Sequence, residues 1–140
     1  MKKCRALILL LTAVLLGVML TSCTTSAQEI TVTLKITAGE DEVFNDNIKL
    51  SYADPTVLTL VSEADAMNDS LTVVYNDAGD SVKDINDYLD TSDDTTIYFW
   101  EYTINGVLPA NETGGKAGSQ PIVDGDVVEY VYSSMQITGE

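Results

Sequence analysis

The sequence predicts a small α+β domain, and three observations carry that expectation. Ile30, Val32, Leu34 and Ile36 alternate with Thr31, Thr33, Lys35 and Thr37, the period of two that marks a half-buried strand. Val57, Leu60, Val61, Ala64 and Met67 recur instead at helical spacing. Through residues 96–104, Tyr98, Trp100, Tyr102 and Ile104 alternate with Phe99, Glu101 and Thr103, the strongest strand pattern in the chain.

The elements follow in order. After the first strand, residues 39–46 are acidic and read as a turn, and residues 48–52 form a weaker extended segment. Asp54-Pro55 opens the helix, with Asp as N-cap and Pro at the first helical position, where its missing N–H costs nothing. Val57, Leu60, Val61, Ala64 and Met67 make its apolar face, and Asn68-Asp69 stops it. Residues 71–75 are β-branched and aromatic and predict a strand, with a turn around Gly79 behind it. Residues 81–89 suit a helix through Val82, Ile85 and Leu89, or an irregular strand. Residues 87–95 are acidic and end whatever precedes them. Asn105-Gly106 turns the aromatic strand back, since both residues tolerate the positive φ of a tight turn. A loop over 109–120, an extended piece over 121–123, an Asp124-Gly125 turn and a last strand over 127–132 complete the chain.

Ahead of this domain, Lys2, Lys3 and Arg5 precede an apolar stretch over 6–20 and then small residues, the three parts of an export signal. The stretch is shorter than the roughly 20 residues a membrane span needs. Leu20-Thr21-Ser22-Cys23 resembles a bacterial lipoprotein lipobox. That resemblance implies removal of residues 1–22, a diacylglycerol on the Cys23 thiol, and a protein outside the cytoplasm held on the cell membrane. Residues 23–28 then read as a tether and 29–140 as one domain. Cys4 would leave with the signal, so neither a disulfide nor a free thiol is expected in what remains.

Composition excludes several functions. Three of the seven basic residues and none of the 22 acidic ones precede Cys23, so a chain starting there has four bases against 22 acids, a net charge of −18. Nucleic acid is not an expected partner, because binding it requires cations to displace phosphate counterions. There is no His, which removes Ser-His and Cys-His catalysis and His-based metal sites. Carboxylate pairs can hydrolyse glycosides, but no spacing singles one out, and no enzyme is expected. Asp77, Asp80, Asp84, Asp87, Asp90, Asp93 and Asp94 offer oxygen ligands for calcium. The stretch lacks the Gly and Glu positions of an EF-hand loop, so it reads as solvated surface and no metal site is expected.

The run from Trp100 through Glu101, Tyr102, Thr103, Ile104 and Asn105 to Gly106, followed after a loop by Asp124-Gly125-Asp126 and the aromatic strand ending at Tyr132, resembles the transcobalamin-like C-terminal domain family. The opening strand, the helix begun at Pro55-Thr56-Val57 and the Ile85-Asn86 segment lie in the family's order. The resemblance covers about residues 29–132. It implies a β-grasp-like fold, one helix packed on a mixed sheet, and on that basis residues 81–86 are read as strand. In vertebrate cobalamin carriers this module forms one wall of the corrinoid site, completed by a helical barrel that these residues do not contain. It therefore implies a corrinoid such as cobalamin as ligand, with Trp100, Tyr102, Asn105 and Gly106 as candidate contacts.

The residues themselves leave two readings open. Tyr98, Trp100 and Tyr102 oppose Glu101, and Tyr130 and Tyr132 oppose Glu129, so these aromatics suit a core packed under the helix as well as a ligand platform. Asn105, Gly106, Asp124 and Gly125 are turn residues first. The loop over 107–120 is the better candidate for touching a ligand, because binding residues concentrate on loops. The expected function is a membrane-held monomeric binding module for a small molecule. The alternative is a surface-structural or protein-interaction module that adds a partner strand at a sheet edge.

Overall fold

The computed structural model describes residues 27–110 and 116–137. Strands β1 (Gln28–Ala38) and β2 (Asp41–Tyr52) form an antiparallel hairpin around Gly39, whose φ of +64° is one that L side chains rarely adopt. Helix α1 (Val57–Met67) follows, then β3 (Val73–Tyr75), β4 (Val82–Ile85), β5 (Tyr88–Leu89), β6 (Thr91–Ser92), β7 (Thr96–Ile104), a 3₁₀ turn (Ala117–Ser119) and β8 (Val127–Gln136). The main sheet has the order β2-β1-β8-β7-β6, with β1 and β8 parallel and the other neighbours antiparallel. A smaller sheet has the order β3-β4-β5. One helix on a mixed sheet is the expected β-grasp-like α+β arrangement, and residues 82–85 are indeed strand.

Four boundaries differ from the sequence reading. The helix is capped by Thr56, not Asp54: Thr59 N donates to Thr56 Oγ1 at 3.3 Å, and Thr56 N donates to Thr59 Oγ1 at 2.7 Å. Pro55 stays outside the helix because its carbonyl accepts from Ile122 N at 3.1 Å while Thr56 bridges to Pro121. Strand β2 begins at Asp41, through the segment expected to be a turn, because pairing with β1 continues across a bulge at Ile36/Thr37. Residues 87–95 supply two short strands, and β8 runs on to Gln136 against β7.

The core is one cluster. Ile30, Val32, Leu34 and Ile36 of β1 meet Val57, Leu60, Val61 and Ala64 of α1, all no more than 6% exposed. Met67, assigned to the helix's apolar face, is 65% exposed at its end. The helix packs on β1, β2 and β3, whereas β4 crosses over β7. The small sheet therefore lies against the aromatic strand, a contact that periodicity did not suggest.

Candidate functional site

Antiparallel register sets the aromatic residues of β7 and β8 side by side. Trp100 pairs with Tyr132 and Tyr102 with Tyr130. The Tyr102 and Tyr130 rings stack with centroids 5.1 Å apart, and Trp100 lies 5.1 Å from Tyr132, tilted. Tyr98 stacks on Tyr132 at 6.2 Å, and Tyr88 meets the edge of Trp100 at 6.4 Å. Such cross-strand aromatic pairs stabilise a sheet by about 0.2 to 1 kcal/mol each.

Hydrogen bonds fasten the 88–90 segment to this ladder. Trp100 Nε1 donates to the Tyr88 carbonyl at 2.7 Å, Trp100 N donates to Asp90 Oδ1 at 2.8 Å, and the Tyr132 hydroxyl donates to the Leu89 carbonyl at 2.8 Å. Trp100 is half-buried, packed against the core on one side and lining a cleft on the other.

That cleft has a volume of about 370 Å³. Its walls are Ser81, Val82 and Asp90 on one side and Trp100, Glu101, Tyr102 and Tyr130 on the other; Leu108, Pro109 and Ala117 border it. Leu108 is 61% exposed, whereas Tyr102 and Tyr130 are 6% and 2% exposed. The hydroxyls of Tyr102 and Tyr130 are buried and have no hydrogen-bond partner among the described residues, nor has that of Thr103. Burial pushes the Tyr102 phenol up to about 12. It raises Tyr130 as well, with Tyr102 and Tyr75 adding to the effect. Asp90 is raised by burial, opposed by its hydrogen bond from Trp100 N and assisted by the nearby charge of Asp84.

A larger depression, about 720 Å³, lies where β1 begins, bordered by Gln28, Tyr52, Pro55, Pro121 and Val123. No side chain lining it is among the buried groups that lack a partner, so the aromatic cleft is the stronger candidate.

Of the residues singled out from sequence, Trp100 and Tyr102 lie together in the cleft wall. Asn105 and Gly106 form a two-residue turn, with φ of +53° and +75°, closed by mutual backbone bonds between Ile104 and Val107. The Asn105 amide donates to Asp126 Oδ1 at 2.8 Å and accepts from Val127 N at 3.0 Å, so it braces the start of β8. Neither residue lines the cleft. Of the loop over 107–120, Leu108, Pro109 and Ala117 border the cleft; its residues 111–115 lie outside the described residues, as does Cys23. Ser81, Val82 and Asp90 were missed, because nothing local in β4 or the acidic stretch signals that they cross over β7.

The acidic stretch is used locally. Asp93 accepts from Thr95 N, Thr95 Oγ1 and Thr96 N, Asp84 accepts from Asp87 N, and Asp80 pairs with Lys116 at 2.6 Å. Among the described residues no three His, Cys, Asp or Glu side chains gather to hold a metal ion.

No protein-family model and no curated protein matches this chain. Solved structures do. Haptocorrin, in a crystal structure of its complex with Cbi, superposes with a TM-score of 0.59 over 76% of this chain at 20% identity. The chain spans about a quarter of the haptocorrin chain, 25% of its length. A putative metal binding protein from Ruminococcus gnavus ATCC 29149 matches with a TM-score of 0.50 at 16% identity, over 76% of this chain and 99% of that one. The likeness is one of fold.

Proposed function

We propose that this chain is a lipid-anchored, extracytoplasmic, non-enzymatic binding module that holds a small molecule, a corrinoid such as cobalamin, in the cleft walled by Trp100 and Tyr102. The observation that carries this reading is the cleft itself: a half-buried indole borders an open concavity, backed by the Tyr102–Tyr130 stack of the core. Small-molecule sites are typically concave and mostly apolar, with a few placed polar groups. Two lines point toward a corrinoid: the motif resemblance to transcobalamin-like C-terminal domains, and a fold shared with part of a protein crystallised with Cbi. In this reading Trp100 and Tyr102 touch the ligand, while Asn105 and Gly106 present the Val107–Pro109 segment to it. Residues 1–22 are the signal, 23–28 the tether carrying lipid on Cys23, and 29–140 the binding domain.

The test is a titration with cyanocobalamin, read by calorimetry and by the emission of Trp100, the sole tryptophan. Saturable binding that Trp100→Ala abolishes supports the reading, and a flat titration overturns it. Cys23→Ala should release the protein from membranes or leave it unprocessed, as read by detergent partitioning and mass analysis of its N-terminus.

A second reading, a protein-interaction module, is favoured by the open face of β7 and β8. There Val131 is 39% and Met135 is 55% exposed, beside Ile97 and Phe99. Strand β2 also leaves one long edge of the main sheet unpaired among the described residues. A flat corrinoid titration together with a partner cross-linked to β2 on intact cells would establish it instead.

A further inference from the structure

Trp100, Glu101 and Tyr102, consecutive in β7, all line the aromatic cleft. Side chains of a strand alternate between faces, so what the three share there is the backbone edge of β7. Register fixes which groups that edge presents. Trp100 N donates away from β8, to Asp90 Oδ1 at 2.8 Å, and Ile104 N donates on the same side to the Val107 carbonyl at 2.9 Å. Pairing of β7 with β8 runs without a register shift, so Tyr102, midway between them, turns its N–H and C=O to that side too. Among the described residues neither group has a backbone or side-chain partner.

The chain leaves this edge open from both directions. Strand β6 meets β7 only at Ile97 and Tyr98. After the Asn105-Gly106 turn the chain starts back along the same edge with Val107 paired to Ile104, a register that sets Pro109 opposite Tyr102. Proline has no N–H to give the Tyr102 carbonyl, and the pairing ends there.

We propose that this notch docks an extended segment of a partner protein, about three residues long, whose central residue exchanges both backbone hydrogen bonds with Tyr102 and whose flanking residues are basic. The inference goes beyond the corrinoid reading and does not rest on it. Residues opposite one another in neighbouring strands share a face. The central side chain therefore points as Tyr102 does, toward Val82 and Ala117 of the cleft wall, and is apolar. The flanking side chains point to the other face, where Glu101 lies, and 22 acids against four bases follow Cys23. Opposite charge both steers such a partner and favours its pairing.

The probe is an end-blocked peptide, Gly-Lys-Val-Lys-Gly, with a terminal fluorophore, titrated against the protein by polarisation. Methylation of the valine nitrogen, or Glu in place of both Lys, should weaken binding at least tenfold. Pro109→Val restores an N–H opposite Tyr102, so the hairpin should close over the notch, raise the melting temperature and weaken the peptide at least tenfold. A flat titration with the unmodified peptide overturns the proposal, as does undiminished binding of the methylated or acidic peptide, or of the unmodified one by Pro109→Val. Saturable cyanocobalamin binding beside a flat peptide titration overturns this inference and leaves the corrinoid reading standing; the converse result does the reverse.

Discussion

One face of the main sheet is covered twice, and the two coverings differ in chemistry. Between α1 and strands β1 and β2 the packing is aliphatic: Val32, Leu34, Ile36 and Leu50 of the strands and Val57, Leu60 and Val61 of the helix are at most 1% exposed. Toward the small sheet, β7 and β8 present Trp100, Tyr102, Tyr130 and Tyr132, with a cleft beside them and, among the described residues, no partner for the hydroxyls of Tyr102 and Tyr130. Aliphatic chains carry no polar atom and interdigitate at interior density. Aromatic rings with polar tips bury large areas, yet each tip needs a partner. The aliphatic half thus supplies stability, and the aromatic half holds the unsatisfied chemistry on which recognition can be built.

Core truncation should separate the halves most strongly. Leu60→Ala removes a fully buried side chain from the helix interface and should cost about 3 to 5 kcal/mol, as cavity-forming substitutions do. Trp100→Ala removes a half-buried ring and one hydrogen bond and should cost less, about 2 to 3 kcal/mol. Urea unfolding followed by circular dichroism measures both, since the second variant has no tryptophan. A larger loss from Trp100→Ala than from Leu60→Ala would reverse the assignment of the two halves.

Alkaline pH should weaken the aromatic half. Burial holds Tyr102 at about 12 in the folded chain, against about 10 for an unfolded tyrosine. The native state therefore keeps a proton that the unfolded chain gives up. Stability is whole below about pH 10 and falls as pH rises toward 12, with Tyr130 acting in the same direction. Melting temperatures at pH 9, 10 and 11 should decline less in Tyr102→Phe than in the unaltered protein. Parallel decline in the two would mean that Tyr102 does not keep its raised value in solution.

The smallest effect is expected at the helix entry. Thr56→Ala removes one half of the capping box and should cost about 1 kcal/mol, whereas Asp54→Ala should cost almost nothing if the cap lies at Thr56. A larger loss from Asp54→Ala would restore the cap read from the sequence.

Local chemistry determined much of this molecule. Alternation fixed β1 and β7, helical spacing fixed the buried stripe of α1, and the positive φ that Asn105, Gly106 and Gly125 tolerate placed two turns. These signals lie within a few residues and reflect the periods of helix and strand. Only the tertiary structure decided the rest. The cap moved to Thr56 because Ile122 and Pro121, distant in sequence, bind Pro55 and Thr56. Residues 41–46 became strand because β1 offered a partner for the whole length. Trp100 and Tyr102 were visible as one face of a strand and the loop holding Leu108 and Ala117 as a candidate, but Ser81, Val82 and Asp90 joined them through long-range packing. Periodicity reports which side of an element is apolar; it carries no information about which element covers that side, and here that difference separates a filled core from a cleft.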